Sequence, residues 1–163
     1  MEPKVFLAAL LVPCLYAAWS DIKTMTIPNM VVLACLGLFI VLGPMVLTLE
    51  AYLWRYVPAL IALLIGFILN MMGQFGAGDA KFASAIILFI PLRDFPSVLW
   101  LYAGITLVSV ALLFAIRAVA PSWAAQSGLK SLHEKRVFPL GLPLALTVLS
   151  YQALSAWPHL TRS

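Results

Sequence analysis

The sequence predicts an all-α, polytopic membrane protein with about six transmembrane helices. Of its 163 residues, 64% are hydrophobic and only 10% are charged, a composition outside the range of a soluble domain of this size. The mean hydropathy is +1.05. Helices are expected throughout because an open sheet leaves backbone groups without partners in lipid. The net charge of +4 is scattered among the connections, so it gives no support for nucleic-acid binding.

Six apolar segments approach the length of about 20 residues that a helix needs to cross a bilayer. They are predicted at residues 5–20, 30–49, 57–72, 81–92, 97–119 and 139–157. The first, third and fourth are short, which suggests tilting or shielding by neighbouring helices. No internal repeat or long linker divides the chain, so residues 1–163 are predicted to form a single membrane-embedded domain. Cys14 and Cys35 lie inside apolar runs without a CxxC pair and are expected to be small core residues.

The lysines and arginines predict the orientation of these spans. If the connection after the first span is cytoplasmic, that side receives Lys23, Lys81, Arg117, Lys130, Lys135 and Arg136. The other side then receives Lys4, Arg55, Arg93 and Arg162. The positive-inside rule favours this arrangement, with both termini facing outward.

Two polar islands interrupt the apolar pattern, WSDIKTMTIPN at residues 19–29 and GAGDAKF at residues 76–82. Asp21 follows the first predicted span and Asp79 follows the third. Two crossings separate them, so both must emerge on the same face of the membrane. In this arrangement Glu2, Glu50 and Asp94 fall on the opposite face, and Glu134 is the one other acidic residue on the same face. Asp21 and Asp79 are therefore the carboxylates predicted to act together.

A pair of carboxylates in a partly dry site tends to share one proton, because two like charges a few ångströms apart in low dielectric are costly. One carboxylate then serves as general base toward a water while its protonated partner polarises a carbonyl, without metal or cofactor. Gly76 and Gly78 are expected to permit positive φ and close approach beside Asp79. Pro28 is expected to start the second helix near Asn29.

Structural explanations are available for the same residues. Asp79 is well placed to cap the helix that follows it, and Asp21 could lie among lipid headgroups with Lys23 beside it. Lys23 and Lys81 could act only as topology determinants, and Asn29 only as a capping group. The first span could also pass for a signal peptide, whose cleavage would remove the predicted topology.

The two islands resemble the signature regions of the type IV prepilin peptidase family, polytopic aspartic peptidases of the GxGD class. The matching residues are Asp21, Lys23, Ile27, Pro28 and Asn29, then Gly76, Gly78, Asp79 and Lys81. The segment FPLGLPLAL at residues 138–146 resembles the final span of the family far less specifically. The resemblance covers nearly the whole chain in span order.

This resemblance implies an inner-membrane endopeptidase that removes the short basic leader from a pilin-like precursor at the cytoplasmic face. Asp21 and Asp79 would be the catalytic pair, and the other matching residues would bind substrate or shape the site. Larger members carry CxxC zinc motifs linked to methylation, which this sequence lacks, so the chain resembles the short, peptidase-only form. Such forms serve Flp-type pili or archaeal-type filaments, and the size of the chain favours the Flp-type form. The expected partners are the precursor, the bilayer and the pilus assembly machinery, which could bind the loop at residues 120–137.

Two other classes of function fit the same pattern. A small proton-coupled transporter could use membrane aspartates as a relay, although these aspartates lie at span ends and no inverted repeat is visible. A non-catalytic pilus or secretion assembly factor could keep the aspartates as helix caps. An Asp→Asn substitution separates these hypotheses, because it preserves most of a cap but removes a catalytic carboxylate.

Overall fold

The computed structural model describes residues 2–73, 75–119, 127–133 and 138–157, and this part of the chain contains helices and no strand. The α-helices are α1 (Glu2–Thr24), α2 (Asn29–Val46), α3 (Leu49–Trp54), α4 (Tyr56–Met71), α5 (Ala77–Ile87), α6 (Phe95–Val119), α7 (Lys130–His133) and α8 (Gly141–Ala156). A short 3-10 helix, Leu92–Asp94, leads into α6. The predicted all-α class is confirmed.

Four stretches of helix are long and apolar enough to cross a membrane: Glu2–Thr24, Asn29–Val46, Leu49–Met71 and Leu92–Val119. The third of these joins α3 to α4. The apolar helix α8 has 16 residues, and α5 has only 11. At a rise of 1.5 Å per residue, α5 is about 16 Å long, roughly half the hydrocarbon thickness of a bilayer. All six predicted segments contain a helix, and the chain is a multi-pass membrane protein.

Helix α1 lies at the centre of the packing. It packs against α8 and α2, while α5 packs against α4, α2 and α8. Phe6, Leu10, Cys14 and Ala17 form the fully buried face of α1, at the spacing of three and four residues expected for one side of a helix. Cys14 and Cys35 are both buried, and their thiols are hydrogen-bonded to each other between α1 and α2. Both cysteines are core residues, as predicted.

The end of the bundle at which α1 begins holds a network of paired charges, here called the arginine end. Arg55 is only 7% exposed; its Nη1 donates to the carbonyl of Leu88 at 3.2 Å, and its Nη2 lies 3.8 Å from Glu2 Oε2. Tyr151 donates its hydroxyl to Asp94 Oδ2 at 2.6 Å. Beneath this network Phe6, Phe39 and Phe89 pack together with ring centroids 5.1 to 6.3 Å apart.

The two motif aspartates lie at the other end of the bundle, here called the aspartate end. Asp21 is in the last turn of α1, and Asp79 is in the first turn of α5. Glu2 and Asp94 belong to the arginine end, as the parity of the spans predicts. One boundary differs from the prediction, since α1 continues to Thr24 and so carries Asp21 within the helix instead of after it.

Candidate active site

Asp21 is a buried carboxylate held by the start of the last helix. The residue is only 3% exposed, and its Oδ2 accepts a hydrogen bond of 3.0 Å from the backbone N–H of Leu142. Leu142 is the second residue of α8. The backbone of Gly141 also donates to Asp21. Asp21 is therefore not a headgroup residue, because two N–H groups at a helix N-terminus hold it inside the protein.

The chain reverses direction directly after Asp21. The N–H of Met25 donates to the carbonyl of Asp21 at 2.9 Å, and Met25 has a φ of 56°. A left-handed residue closing such a bond ends a helix. Ile27 then turns inward and is buried, while Pro28 has a φ of −64° and a ψ of 139°. Helix α2 begins at Asn29, which confirms the predicted role of Pro28.

Asp79 occupies a different helix position from the one expected of a capping residue. Gly76 is the N-cap of α5, and Asp79 is the third residue of the helix. The alternative in which Asp79 is itself the N-cap is therefore wrong. Its side chain instead accepts a hydrogen bond from the backbone N–H of Gly76, which is half of a capping box.

The electrostatics of Asp79 connect it to Asp21. The pKa of Asp79 is raised from 3.8 to about 6, first by burial and second by the negative charge of Asp21. The hydrogen bond from Gly76 lowers the pKa and only partly opposes these two effects. Asp79 lies just before the segment predicted as the fourth span, at the aspartate end. A carboxyl with this pKa is partly protonated near neutral pH.

The glycines of GAGD do not adopt the backbone conformation predicted for them. Gly76 has a φ of −69°, and among the described glycines positive φ occurs at Gly73 and Gly128. What the site requires of Gly76 and Gly78 is the absence of a side chain. A Cβ on Gly76 would lie 2.6 Å from Asp79 Oδ2, and one on Gly78 would lie 3.3 Å from the carbonyl oxygen of Ile27.

Ile27 joins the two motifs to the last helix. Its backbone packs on Gly78, and its Cδ1 would lie 2.6 Å from a Cβ placed on Gly141. The same Cβ on Gly141 would lie 2.9 Å from Asp21 Oδ2. Glycines on both sides of Ile27 thus allow α5 and α8 to approach the end of α1. The aspartate end is assembled from three separate parts of the sequence.

The remaining predicted site residues lie nearer the surface. Lys81 Nζ donates to Asn29 Oδ1 at 3.4 Å, which links one motif to the other across 52 residues. Asn29 therefore has a tertiary partner, and it is not the cap of α2, because Pro28 occupies the N-cap position. Lys23 is exposed at the end of α1. In the predicted partner-binding loop, Lys130 is described and exposed, whereas Lys135 and Arg136 lie outside the described residues.

Sequence reasoning missed Gly141 and Leu142 as members of the site. They lie 120 and 121 residues after Asp21, and no charged or nucleophilic side chain marks them. The segment FPLGLPLAL that contains them resembles the final span of the family, and this resemblance is the one signal that could have found them. Among the described residues, no group of three or more His, Cys, Asp or Glu is arranged to hold a metal ion.

The fold and the site together define a helical membrane protein with two interacting carboxyl groups at one end of its bundle. Comparison with protein families gives a match to the type IV leader peptidase family over residues 8–120. The chain belongs to this family. No curated protein and no solved structure matches it. The matched region contains both aspartates but ends before Gly141 and Leu142.

Membership of this family identifies the general activity of the protein. The protein is a leader peptidase and hence a hydrolase, and the substrate class of the family is the pilin precursor. The family match therefore supports the resemblance seen in the two sequence motifs.

Proposed function

We propose that this protein is an aspartic endopeptidase of the inner membrane that removes the short basic leader of a pilin-like precursor at the cytoplasmic face. The observation that carries the proposal is the raised pKa of Asp79, about 6, to which the charge of Asp21 contributes. Groups whose pKa is shifted by burial and by a specific charged partner are typical of catalytic sites. The basic residues Lys23 and Lys81 support the cytoplasmic placement of this end.

The surroundings of the two carboxyl groups suggest different roles. Asp21 accepts backbone N–H groups at the N-terminus of α8, where the helix dipole favours negative charge. Asp79 holds its proton to a higher pH than a free aspartate does. In the proposed resting state, Asp21 is the ionised general base that takes a proton from water. Asp79 is the protonated acid that polarises the scissile carbonyl.

The backbone of the site leaves space for an extended peptide. Gly76 is exposed and precedes the first turn of α5, so no side chain separates a substrate from Asp79 on that side. A peptide bond inside a helix has its carbonyl engaged in a hydrogen bond, so the leader junction must be extended when it is cut. We place this junction between Asp21 and Asp79, beside Gly76.

The proposal extends to Flp-type precursors as the substrate. Its support is the resemblance of this sequence, which carries the two family motifs and no CxxC pair, to the short members of the family. Cys14 and Cys35 are buried in α1 and α2, where they cannot serve as a CxxC zinc site. We therefore assign no methyltransferase activity to these two cysteines.

Cleavage of a panel of pilin-like precursors by the protein in liposomes tests the proposal. The variants Asp21→Asn and Asp79→Asn are each expected to lower kcat about 1,000-fold, within the usual range for the loss of an acid or base. Asp94→Asn is the matched control, because it removes a carboxylate from the arginine end, where Tyr151 and Arg93 surround it. It should retain activity within twofold.

Folding of each variant is checked by its thermal unfolding in detergent and by its elution as a single species. If Asp21→Asn or Asp79→Asn folds and still cuts at the wild-type rate, that residue is not catalytic and the two-carboxyl mechanism is wrong. If the wild type cuts none of the precursors, the proposed substrate and mechanism are wrong.

A further inference from the structure

A long apolar groove runs along the outermost helix of the bundle. Its volume is about 730 Å³, and it lies between α6, α7 and α8. None of the 18 described residues that line it is charged. Helix α6 packs mainly against α8, and Val98 is its one buried residue, so most of the helix has no protein partner in the described part of the chain.

The groove is continuous with the candidate active site. Ile22, which follows Asp21, forms part of its wall. Leu142 forms another part, and its backbone N–H is the group that binds Asp21. From this end the groove follows α6 between Ile116 and Trp100. These two residues are 16 positions apart, so at 1.5 Å per residue the groove is about 24 Å long. This length covers most of the hydrocarbon thickness of a bilayer, which is about 30 Å.

The part of the groove nearer Trp100 is kept open by a residue without a side chain. Gly104 lines the groove, and a Cβ placed on it would have no heavy atom within 4 Å. Small residues at such positions let a second helix approach closely in a membrane. At the end nearest Asp21, Arg117 donates to the carbonyl of Ser131, which ties the end of α6 to α7.

We propose that this groove holds the apolar helix of the precursor during cleavage, with the leader junction at the end formed by Ile22 and Leu142. The inference rests on the proposed function, because a leader peptidase must position a membrane-anchored helix so that its end reaches the aspartates. The groove has the required length, apolar character and continuity with Asp21. A lipid chain or a second copy of the protein are the competing occupants.

The kinetic test compares Gly104→Leu with Gly37→Leu in proteoliposomes. Both glycines lie in membrane-spanning helices, and a Cβ added to either would meet no heavy atom within 4 Å, but Gly37 is in α2, away from the groove. Gly104→Leu should lower kcat/KM for the precursor at least tenfold, mainly by raising KM. Gly37→Leu should stay within twofold of the wild type. Equal kcat/KM values for the two variants would overturn the inference.

A second measurement identifies the occupant directly and does not depend on cleavage. A photoreactive residue at Val108, inside the groove, is compared with one at Leu60, which is exposed on α4. In an Asp79→Asn background, Val108 should crosslink to the apolar helix of the precursor and Leu60 should not. Crosslinks from Val108 only to lipid, or to a second copy of the protein, would overturn the inference.

The two tests separate failure of the inference from failure of the proposed function. If the wild type cleaves the precursor and Gly104→Leu does so equally well, the groove is not the docking site and the peptidase mechanism stands. If the wild type cleaves nothing, the proposed function fails. In that case the crosslinking result alone decides whether the groove receives the helix.

Discussion

The carboxylates at the two ends of the helical bundle have opposite surroundings. At the arginine end, Glu2 lies 3.8 Å from Arg55, and Asp94 accepts the hydroxyl of Tyr151 while lying 3.7 Å from Arg93. At the aspartate end, no ion pair is formed by Asp21 or Asp79 among the described residues. Backbone N–H groups hold both carboxyls instead.

This difference indicates what each end is for. Pairing offsets the cost of removing a charge from water, because an opposite charge or a hydrogen-bond donor replaces the lost solvent. At the aspartate end, each negative charge instead raises the free energy needed to ionise the other carboxyl group. This pair therefore has no compensation of that kind. Such pairs are expected where chemistry requires a proton to be held and released.

The first prediction compares glycines that are equally crowded at the two ends. A Cβ on Gly141 would lie 2.6 Å from Ile27 Cδ1 and 2.9 Å from Asp21 Oδ2, whereas one on Gly43 would lie 2.6 Å from the ring of Tyr52. Gly141→Ala should lower kcat about 100-fold by displacing Asp21, since small misplacements of catalytic groups are costly. Gly43→Ala should lower the unfolding temperature and leave kcat within twofold. Equal effects on kcat would remove the functional distinction between the ends.

The second prediction concerns stability at the arginine end. Arg55→Met removes the bond to the carbonyl of Leu88 and leaves that buried oxygen without its partner. The loss of a buried hydrogen bond to a charged group costs about 2 kcal/mol, or roughly 30-fold in the unfolding equilibrium. Reversible unfolding in mixed micelles measures this change. The kcat of the folded fraction should be unchanged; a large fall in kcat would couple the arginine end to catalysis.

The third prediction is a pH dependence that belongs to the aspartate end. In the proposed mechanism, the active form has Asp79 protonated and Asp21 ionised. Since the pKa of Asp79 is about 6, this form is lost as the pH rises through that value. The kcat/KM should therefore fall about tenfold per pH unit on the alkaline side of pH 6. A profile that instead rises through pH 6 and stays flat to pH 8 would require both carboxyls to be ionised.

The smallest predicted effect is at the surface of the aspartate end. Lys81 and Asn29 are joined by a single exposed contact of 3.4 Å. Exposed polar contacts of this kind contribute at most about 1 kcal/mol. Lys81→Met should thus change kcat/KM by about two- to fivefold, and Asn29→Ala should give little further change when combined with it. Independent, additive effects in the double variant would show that the contact is not functional.

Much of the fold could be predicted from the sequence because lipid restricts the possible structures. The apolar segments, the helical class and the placement of Asp21 and Asp79 at the same end follow from length, composition and parity. The first residue of α2 could also be predicted, because the fixed φ of Pro28 suits the position just before a helix begins. These features depend on residues close together in the chain or on the bilayer itself.

The features that could not be predicted depend on long-range packing. The bond from Leu142 to Asp21 joins residues 121 apart, and a backbone N–H leaves no mark in the sequence. The local pattern GAGD predicts a turn in which the glycines supply an unusual backbone conformation. In the structure, glycine is needed at these two positions because a side chain there would collide with Asp79 or crowd Ile27. Helix α1 extends through Asp21 and packs against α8, whose first residues bind that carboxylate, and local hydropathy cannot reveal this packing.

The central claim is that Asp21 and Asp79 form one interacting pair, and titration of Asp79 tests it most directly. The sequence contains three aspartates, Asp21, Asp79 and Asp94, so a protein labelled with ¹³C at the aspartate carboxyl groups gives three signals, which Asp→Asn variants assign. In the wild type the Asp79 signal should titrate near pH 6. In Asp21→Asn the midpoint should move to lower pH, because the neighbouring negative charge is gone. A midpoint that does not move in Asp21→Asn would contradict the account.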